Sequence, residues 1–149
     1  MKFIPVYEPI LNQGNEKKYL QQCIDTGWIS SDGYFVRKFE EEFAKWSGNK
    51  YAVAVCNGTA ALETALWSMG AMKNFIILPT STIISCALAI LRVDSKPLYT
   101  DIDLDNLGFN QEDLEIKLNL TDIVMPVHLF GHYCSVEAPI KVEDSSQYW

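Results

Sequence analysis

The chain has 149 residues, with 48% hydrophobic and 21% charged residues and a formal net charge of −7. That is one domain's worth of ordinary soluble protein, and with no Lys/Arg cluster beyond pairs such as Lys17-Lys18 it argues against a nucleic-acid partner. The four cysteines (Cys23, Cys56, Cys86, Cys134) are widely spaced with no C-x-x-C pair, as expected for reduced thiols in a cytoplasmic protein. The N-terminus reaches Pro5, Glu8 and Pro9 too soon for a signal peptide.

In chain order, residues 1–12 read as extended and lead into a helix near 15–26, with Leu20, Cys23 and Ile24 on one face and Gly27 as its stop. A loop over 28–33 precedes a second helix near 34–46. There Val36, Phe39, Phe43 and Trp46 recur at helical spacing, and Ser47-Gly48-Asn49 ends it. A β-branched strand with Val53 and Val55 then runs through Asn57-Gly58-Thr59 into a helix. That helix carries Leu62, Ala65, Leu66 and Met69 on one face and ends at Gly70. A small-residue turn at a helix N-terminus leaves N–H groups pointing along a positive dipole, which suits a phosphate.

Residues 74–91 carry no charge and are long enough to span a bilayer. Pro79 and the hydroxyls of Thr80, Ser81, Thr82 and Ser85 interrupt them, so a buried strand (75–78), a turn and a buried helix (82–93) are expected instead. Lys96–Asp101 reads as a strand. Asn110 caps a helix over 111–118, with Asp113 at the capping-box position. Strands follow at 122–130 and 140–143. Alternation of strands and helices predicts an α/β fold, a mostly parallel sheet with helices on both faces. One connection is short: only residues 131–139 separate the last two strands, where a parallel crossover normally takes a dozen or more with a helix. Either that helix is lost or the last strand pairs differently.

Several pieces agree with one family: Gly27-Trp28-Ile29-Ser30-Ser31, Phe39-Glu40-Glu41-Glu42-Phe43-Ala44, Asn57-Gly58-Thr59-Ala60-Ala61-Leu62 and Leu78-Pro79-Thr80. Further on come Asp101-Ile102-Asp103, Val127-His128-Leu129-Phe130-Gly131 and Glu143-Asp144-Ser145-Ser146-Gln147. In this order they make the chain resemble the N-terminal part of the DegT/DnrJ/EryC1/StrS family. Its members are fold type I, pyridoxal-phosphate (PLP) aminotransferases that act on nucleotide-linked keto-sugars.

The resemblance implies a truncated PLP-transferase large domain over 1–149, with an N-terminal arm and helix in 1–30, an α/β core in 31–149 and no C-terminal small domain. It also implies roles for single residues. Gly58, Thr59 and Ala60 match the turn that holds the cofactor's phosphate. Asp144 matches the aspartate paired with the pyridine nitrogen, where a carboxylate keeps that nitrogen protonated and the ring an electron sink. Gln147 matches the contact to the ring's 3-oxygen. His128 is placed near the cofactor plane, or else is a core histidine.

Departures from the pattern matter as much. Where the family stacks an aromatic ring on PLP, this chain has Thr82-Ile83-Ile84; Ile83 packs against a ring but offers no π face, so weakened cofactor affinity is expected. The family's Gly-Asp-Glu is reduced to Met72-Lys73-Asn74, and the helix before the last strand is missing. The Schiff-base lysine lies beyond the Asp/Gln strand in the family, with a serine that helps hold the phosphate, and nothing follows Trp149 here. Transamination needs that amine, so the chain alone is expected not to catalyse it.

Two metal readings are weaker. Asp101, Asp103, Asp105 and Glu112 fit part of a calcium-loop template, but Asn106 replaces the turn glycine and a strand leads in. His128, His132 and Cys134 lie close in sequence without a zinc-binding helix motif. No metal is expected. The sequence thus predicts a fragment of a sugar aminotransferase, a relic or the amino half of a split enzyme. The rival is a non-catalytic module that binds PLP or a nucleotide sugar, or pairs with a full-length relative or a second copy. A truncated product with no retained role is the third possibility.

Overall fold

A computed structural model describes residues 3–5, 8–11 and 13–148 and divides the chain into two compact units, Met1–Ala54 and Val55–Trp149. The expected extended segment over 1–12 lies partly outside the described residues; 3–5 and 8–11 carry no regular secondary structure.

The first unit holds α1 (Glu16–Thr26) and α2 (Tyr34–Ser47). Both end at the predicted glycines. The αL backbone that Gly48 adopts (φ 70°) lets its amide and that of Asn49 reach the last carbonyls of α2. The apolar stripes are present but largely exposed: Leu20, Ile24, Phe39, Phe43 and Trp46 are all exposed, Cys23 and Val36 half-buried, and α1 buries no residue.

The strand expected around Val53 and Val55 does not form. Its side chains are β-branched as a strand requires, yet a strand exists only as part of a ladder, and no described segment pairs with it. Tyr51, Val53 and Val55 stay exposed, and the Ala54 amide bonds the Glu40 carboxylate at 2.8 Å instead.

The second unit is a parallel α/β layer structure. It runs α3 (Gly58–Ser68), β1 (Phe75–Pro79), α4 (Ile84–Arg92), β2 (Lys96–Thr100), α5 (Gln111–Leu118), β3 (Ile123–Val124) and β4 (Ile140–Lys141). The sheet order is β2-β1-β3-β4, all parallel. Alternation along β1 sorts the two faces. Ile76 and Leu78 join Leu62 and Leu66 of α3 and Cys86, Ala89 and Ile90 of α4 in one core, whereas Ile77 joins Leu114 of α5 in the other. Of the predicted α3 face, Leu62 and Leu66 are buried, Ala65 is partly buried and Met69 is not.

The ends are set locally. Asn57 Oδ1 accepts the Ala60 amide at 2.9 Å and Asn110 Oδ1 accepts the Asp113 amide at 3.0 Å, each satisfying an orphan donor of a first turn. The return arm of the capping box is not made: the Asp113 carboxylate takes the Asp101 amide and Lys117.

Regular pairing in β3 and β4 is shorter than predicted because Pro126 has no N–H to give. The ladder nonetheless continues: the Val142 amide donates to the Val124 carbonyl (3.0 Å), Asp144 to Pro126 (2.9 Å) and His128 to Asp144 (2.9 Å).

The short crossover resolves in favour of the lost helix. Phe130 (φ 55°) and Gly131 (φ 79°) are both left-handed, and the His132 amide closes on the Leu129 carbonyl at 2.8 Å, which makes a tight reversal. The chain then returns along the α5 face, burying Cys134 and Val136 where a crossover helix would lie. An extended chain covers about 3.3 Å per residue against 1.5 Å in a helix, so a few residues span what a helix needs a dozen for.

Candidate functional site

The C-terminal ends of β1, β3 and β4 and the N-termini of α3 and α4 meet at one edge of the sheet, the edge where open α/β folds bind ligands. At its centre is Asp144, just past β4 and only 6% exposed. Its Oδ1 accepts the Ser146 amide at 3.0 Å and the Ser146 hydroxyl, and its Oδ2 accepts the Cys86 thiol of α4 at 3.1 Å. Burial pushes the Asp144 carboxyl up, but the Ser146 hydroxyl and amide, the Cys86 thiol and the neighbouring His128 ring outweigh it and hold the group below the ordinary carboxylate value. It is a buried anion at neutral pH.

The sign of its effect on stability follows. An aspartate with a depressed folded pKa contributes stability that is fully present above its unfolded value and is lost as pH falls through the folded one. Urea midpoints measured from about pH 6 down to about pH 3 should therefore fall less steeply for Asp144→Asn than for the native chain. Equal slopes would mean that the carboxylate is not held as described.

Ser146 also lies beside the first turn of α3. A Cβ on Gly58 would stand 3.3 Å from Ser146 Oγ, so the backbone of the first turn comes close enough that glycine fits best there. Of the three amides expected to hold a phosphate, that of Ala60 is already taken by Asn57. Those of Gly58 and Thr59 are first-turn donors with no intrahelical acceptor, beside the half-buried Thr59 side chain.

Gln147 uses its Oε1 to accept the Phe130 amide at 2.9 Å, which pins the strained reversal and leaves the Gln147 NH₂ as a donor. Ile83 is the N-cap of α4 and 42% exposed, one turn before Cys86. Thr82 Oγ1 nearby is buried without a hydrogen-bond partner.

His128 lies on the strand segment next to Asp144. It is 1% exposed, and its Nδ1 accepts the Cys134 amide at 3.0 Å. Its ring sits against Tyr133 and Tyr148, at centroid distances of 4.7 and 5.4 Å. It touches Asp144 only through the backbone ladder, and Glu143 Oε2 stands 3.6 Å from its Nε2. Its Nε2 is buried with no hydrogen-bond partner.

Asp101, Asp103 and Asp105 do not converge: Asp103 Oδ1 accepts the amides of Asp105 and Asn106 and closes a turn. Among the described residues no group of three or more His, Cys, Asp or Glu is placed to hold a metal ion. Nor is any described helix long and apolar enough to cross a membrane.

The sequence reading brought Gly58, Thr59, Ala60, Asp144 and Gln147 to one place but missed Ser146 and Cys86. Ser146 was legible as the second residue after an aspartate, the spacing of an Asx turn. Cys86 was not, because it belongs to another element and meets Asp144 only in the fold.

The model of the DegT/DnrJ/EryC1/StrS aminotransferase family matches residues 11–149. The chain is 40% identical over 147 residues to GDP-perosamine synthase of Escherichia coli O157:H7, covering 97% of this chain and 40% of that protein. It is 40% identical over 137 residues to GDP-perosamine synthase of Vibrio cholerae, covering 91% and 37%. Among solved structures, the aminotransferase from Psychrobacter cryohalolentis superposes with a TM-score of 0.81 at 25% identity, over 95% of this chain and 38% of that one. The chain thus spans about 40% of the length of the relatives it matches. On the motifs, the parallel sheet and the family match together, this chain belongs to the DegT/DnrJ/EryC1/StrS aminotransferase family.

Proposed function

We propose that this chain forms the cofactor-holding part of a PLP-dependent sugar aminotransferase of the GDP-perosamine synthase type. The ancestral reaction moves an amino group from glutamate to a nucleotide-linked keto-sugar. One observation carries the reading: a buried Asp144 at the C-terminal sheet edge accepts hydrogen bonds from Ser146 and Cys86 that favour its charged form, and Ser146 lies beside the glycine-containing first turn of α3.

These residues fit the cofactor. The free amides of Gly58 and Thr59 would hold its phosphate, Asp144 the pyridine nitrogen and the Gln147 NH₂ the ring oxygen. Bound there, PLP supplies an electron sink for the bonds around the amino carbon. Asp144 would keep the ring nitrogen's proton in place, and the Gln147 NH₂ would orient the ring. Ile83 would pack on the ring without a π face, so affinity would be lower than an aromatic residue gives.

The Schiff-base lysine and the small domain of the family fall outside the 149 residues. Taken alone, the chain binds PLP and does not transaminate; the amine comes from residues beyond it or from a separate chain. Titration with PLP followed by absorbance, borohydride reduction and intact mass tests this. Saturable binding with no covalent adduct is expected. No binding would overturn the cofactor reading, and a stoichiometric adduct would overturn the need for an external lysine.

The exposed Leu20, Ile24, Phe39, Phe43 and Trp46 favour a second reading, in which the chain pairs with a complete relative or a second copy through the first unit. Sedimentation of the chain alone and mixed with a full-length homologue separates the two, and a monomer in both samples removes the second.

A further inference from the structure

The Cys86 thiol is not among the residues that the family resemblance assigns to the site, yet it touches the group on which the site depends. Cys86 is fully buried on the inner face of α4, with Sγ 3.1 Å from Asp144 Oδ2. Both Ser146 donors act on the other oxygen, Oδ1. Two donors on one oxygen fix where the carboxylate sits but leave its plane free to tilt. A donor on the second oxygen, from a different element, removes that freedom and adds a hydrogen bond that only the charged form accepts well.

The other groups facing Asp144 do not replace it. His128, beyond β3, donates its backbone amide to the Asp144 carbonyl and makes no hydrogen bond to the carboxylate, on which its ring acts only as a neighbouring charge, and Glu143 Oε2 stands 3.6 Å from that ring's Nε2. The thiol is a donor throughout the physiological range, because burial and the adjacent Asp144 push it up to about 12.

We propose that Cys86 is a positioning residue of the cofactor site: its S–H holds Asp144 Oδ2 so that the carboxylate keeps both its charge and its orientation toward a protonated pyridine nitrogen. The part concerning the pyridine rests on the PLP reading above, whereas the coupling of Cys86 to Asp144 needs no cofactor.

The test uses the native chain, Cys86→Ala and Cys86→Ser, with two readouts. One is the ¹³C-carboxyl titration of Asp144 in ligand-free protein. The other is affinity for PLP and for its deaza analogue, in which carbon replaces the ring nitrogen. Cys86→Ala should raise the Asp144 midpoint and weaken PLP about five- to tenfold, the worth of one ordinary hydrogen bond, while leaving the deaza analogue unchanged. Cys86→Ser, which keeps a donor, should restore both.

An unchanged midpoint in Cys86→Ala, equal losses for the two ligands, or a serine variant as impaired as the alanine one would each overturn the proposal. If the native chain binds neither ligand, the PLP reading fails and the Asp144 midpoint alone decides the coupling. Should Cys86→Ala not fold, the S–H stretching band of the native protein reads the same contact. It is lowered by the hydrogen bond and rises as Asp144 protonates; a band at the free-thiol frequency would overturn the proposal.

Discussion

Asp144→Asn is expected to weaken PLP binding by about 10- to 100-fold, the worth of a hydrogen bond to a charged partner, with the fold retained. The substitution is nearly isosteric. Its carbonyl oxygen can still accept from the Ser146 amide and hydroxyl, which engage one carboxylate oxygen. What it removes is the negative charge that, in the proposed site, would hold a proton on the pyridine nitrogen. Its NH₂ also presents a donor where the native group presents an acceptor to Cys86. Isothermal titration with PLP, alongside far-UV circular dichroism to check folding, measures the effect. Inorganic phosphate serves as a control, because the amides of Gly58 and Thr59 are untouched and its weaker binding should not change. If PLP binds the variant as well as the native chain, Asp144 is not the ring's partner and the site reading falls with it.

The second large effect is on stability. Leu66→Ala should lower the unfolding free energy by about 3–4 kcal/mol, as large-to-small changes at fully buried positions do. Leu66 is 0% exposed and lies in the core where α3 meets α4 and β1. A typical domain has only about 5–15 kcal/mol in all, so the loss is a large fraction of it. The damage reaches function by a short route. α3 presents Gly58 and Thr59 at one end and is held to the sheet by Leu62 and Leu66, so loosening it would move the amides proposed to hold the phosphate away from Asp144. Urea unfolding monitored by circular dichroism reads the stability, with Trp67→Ala on the exposed side of the same helix as the comparison. That change should cost about 0.5 kcal/mol or less. Similar costs for the two would mean that α3 is not anchored as described.

Much of this protein is determined within a few residues of sequence and is therefore legible there. The glycine after each of α1 and α2, the Asn57 and Asn110 caps and the apolar spacing of α3, α4 and β1 act through local geometry, and each element forms where that geometry puts it. The family motifs, and with them Gly58, Thr59, Asp144 and Gln147, are equally local patterns. Tertiary structure decided what depends on a partner. Val53 and Val55 have strand chemistry but no strand beside them, and a ladder's hydrogen bonds cannot be made alone. The stripes of α1 and α2 have helical periodicity, yet periodicity does not say whether anything covers them. Asp144 pairs with Val127 across neighbouring strands, so His128, the next residue along, turns to the opposite face and to different surroundings by the alternation of side chains along a strand. The Cys86–Asp144 contact joins residues 58 apart, and only the packing of α4 on the end of β4 brings that thiol to that carboxylate.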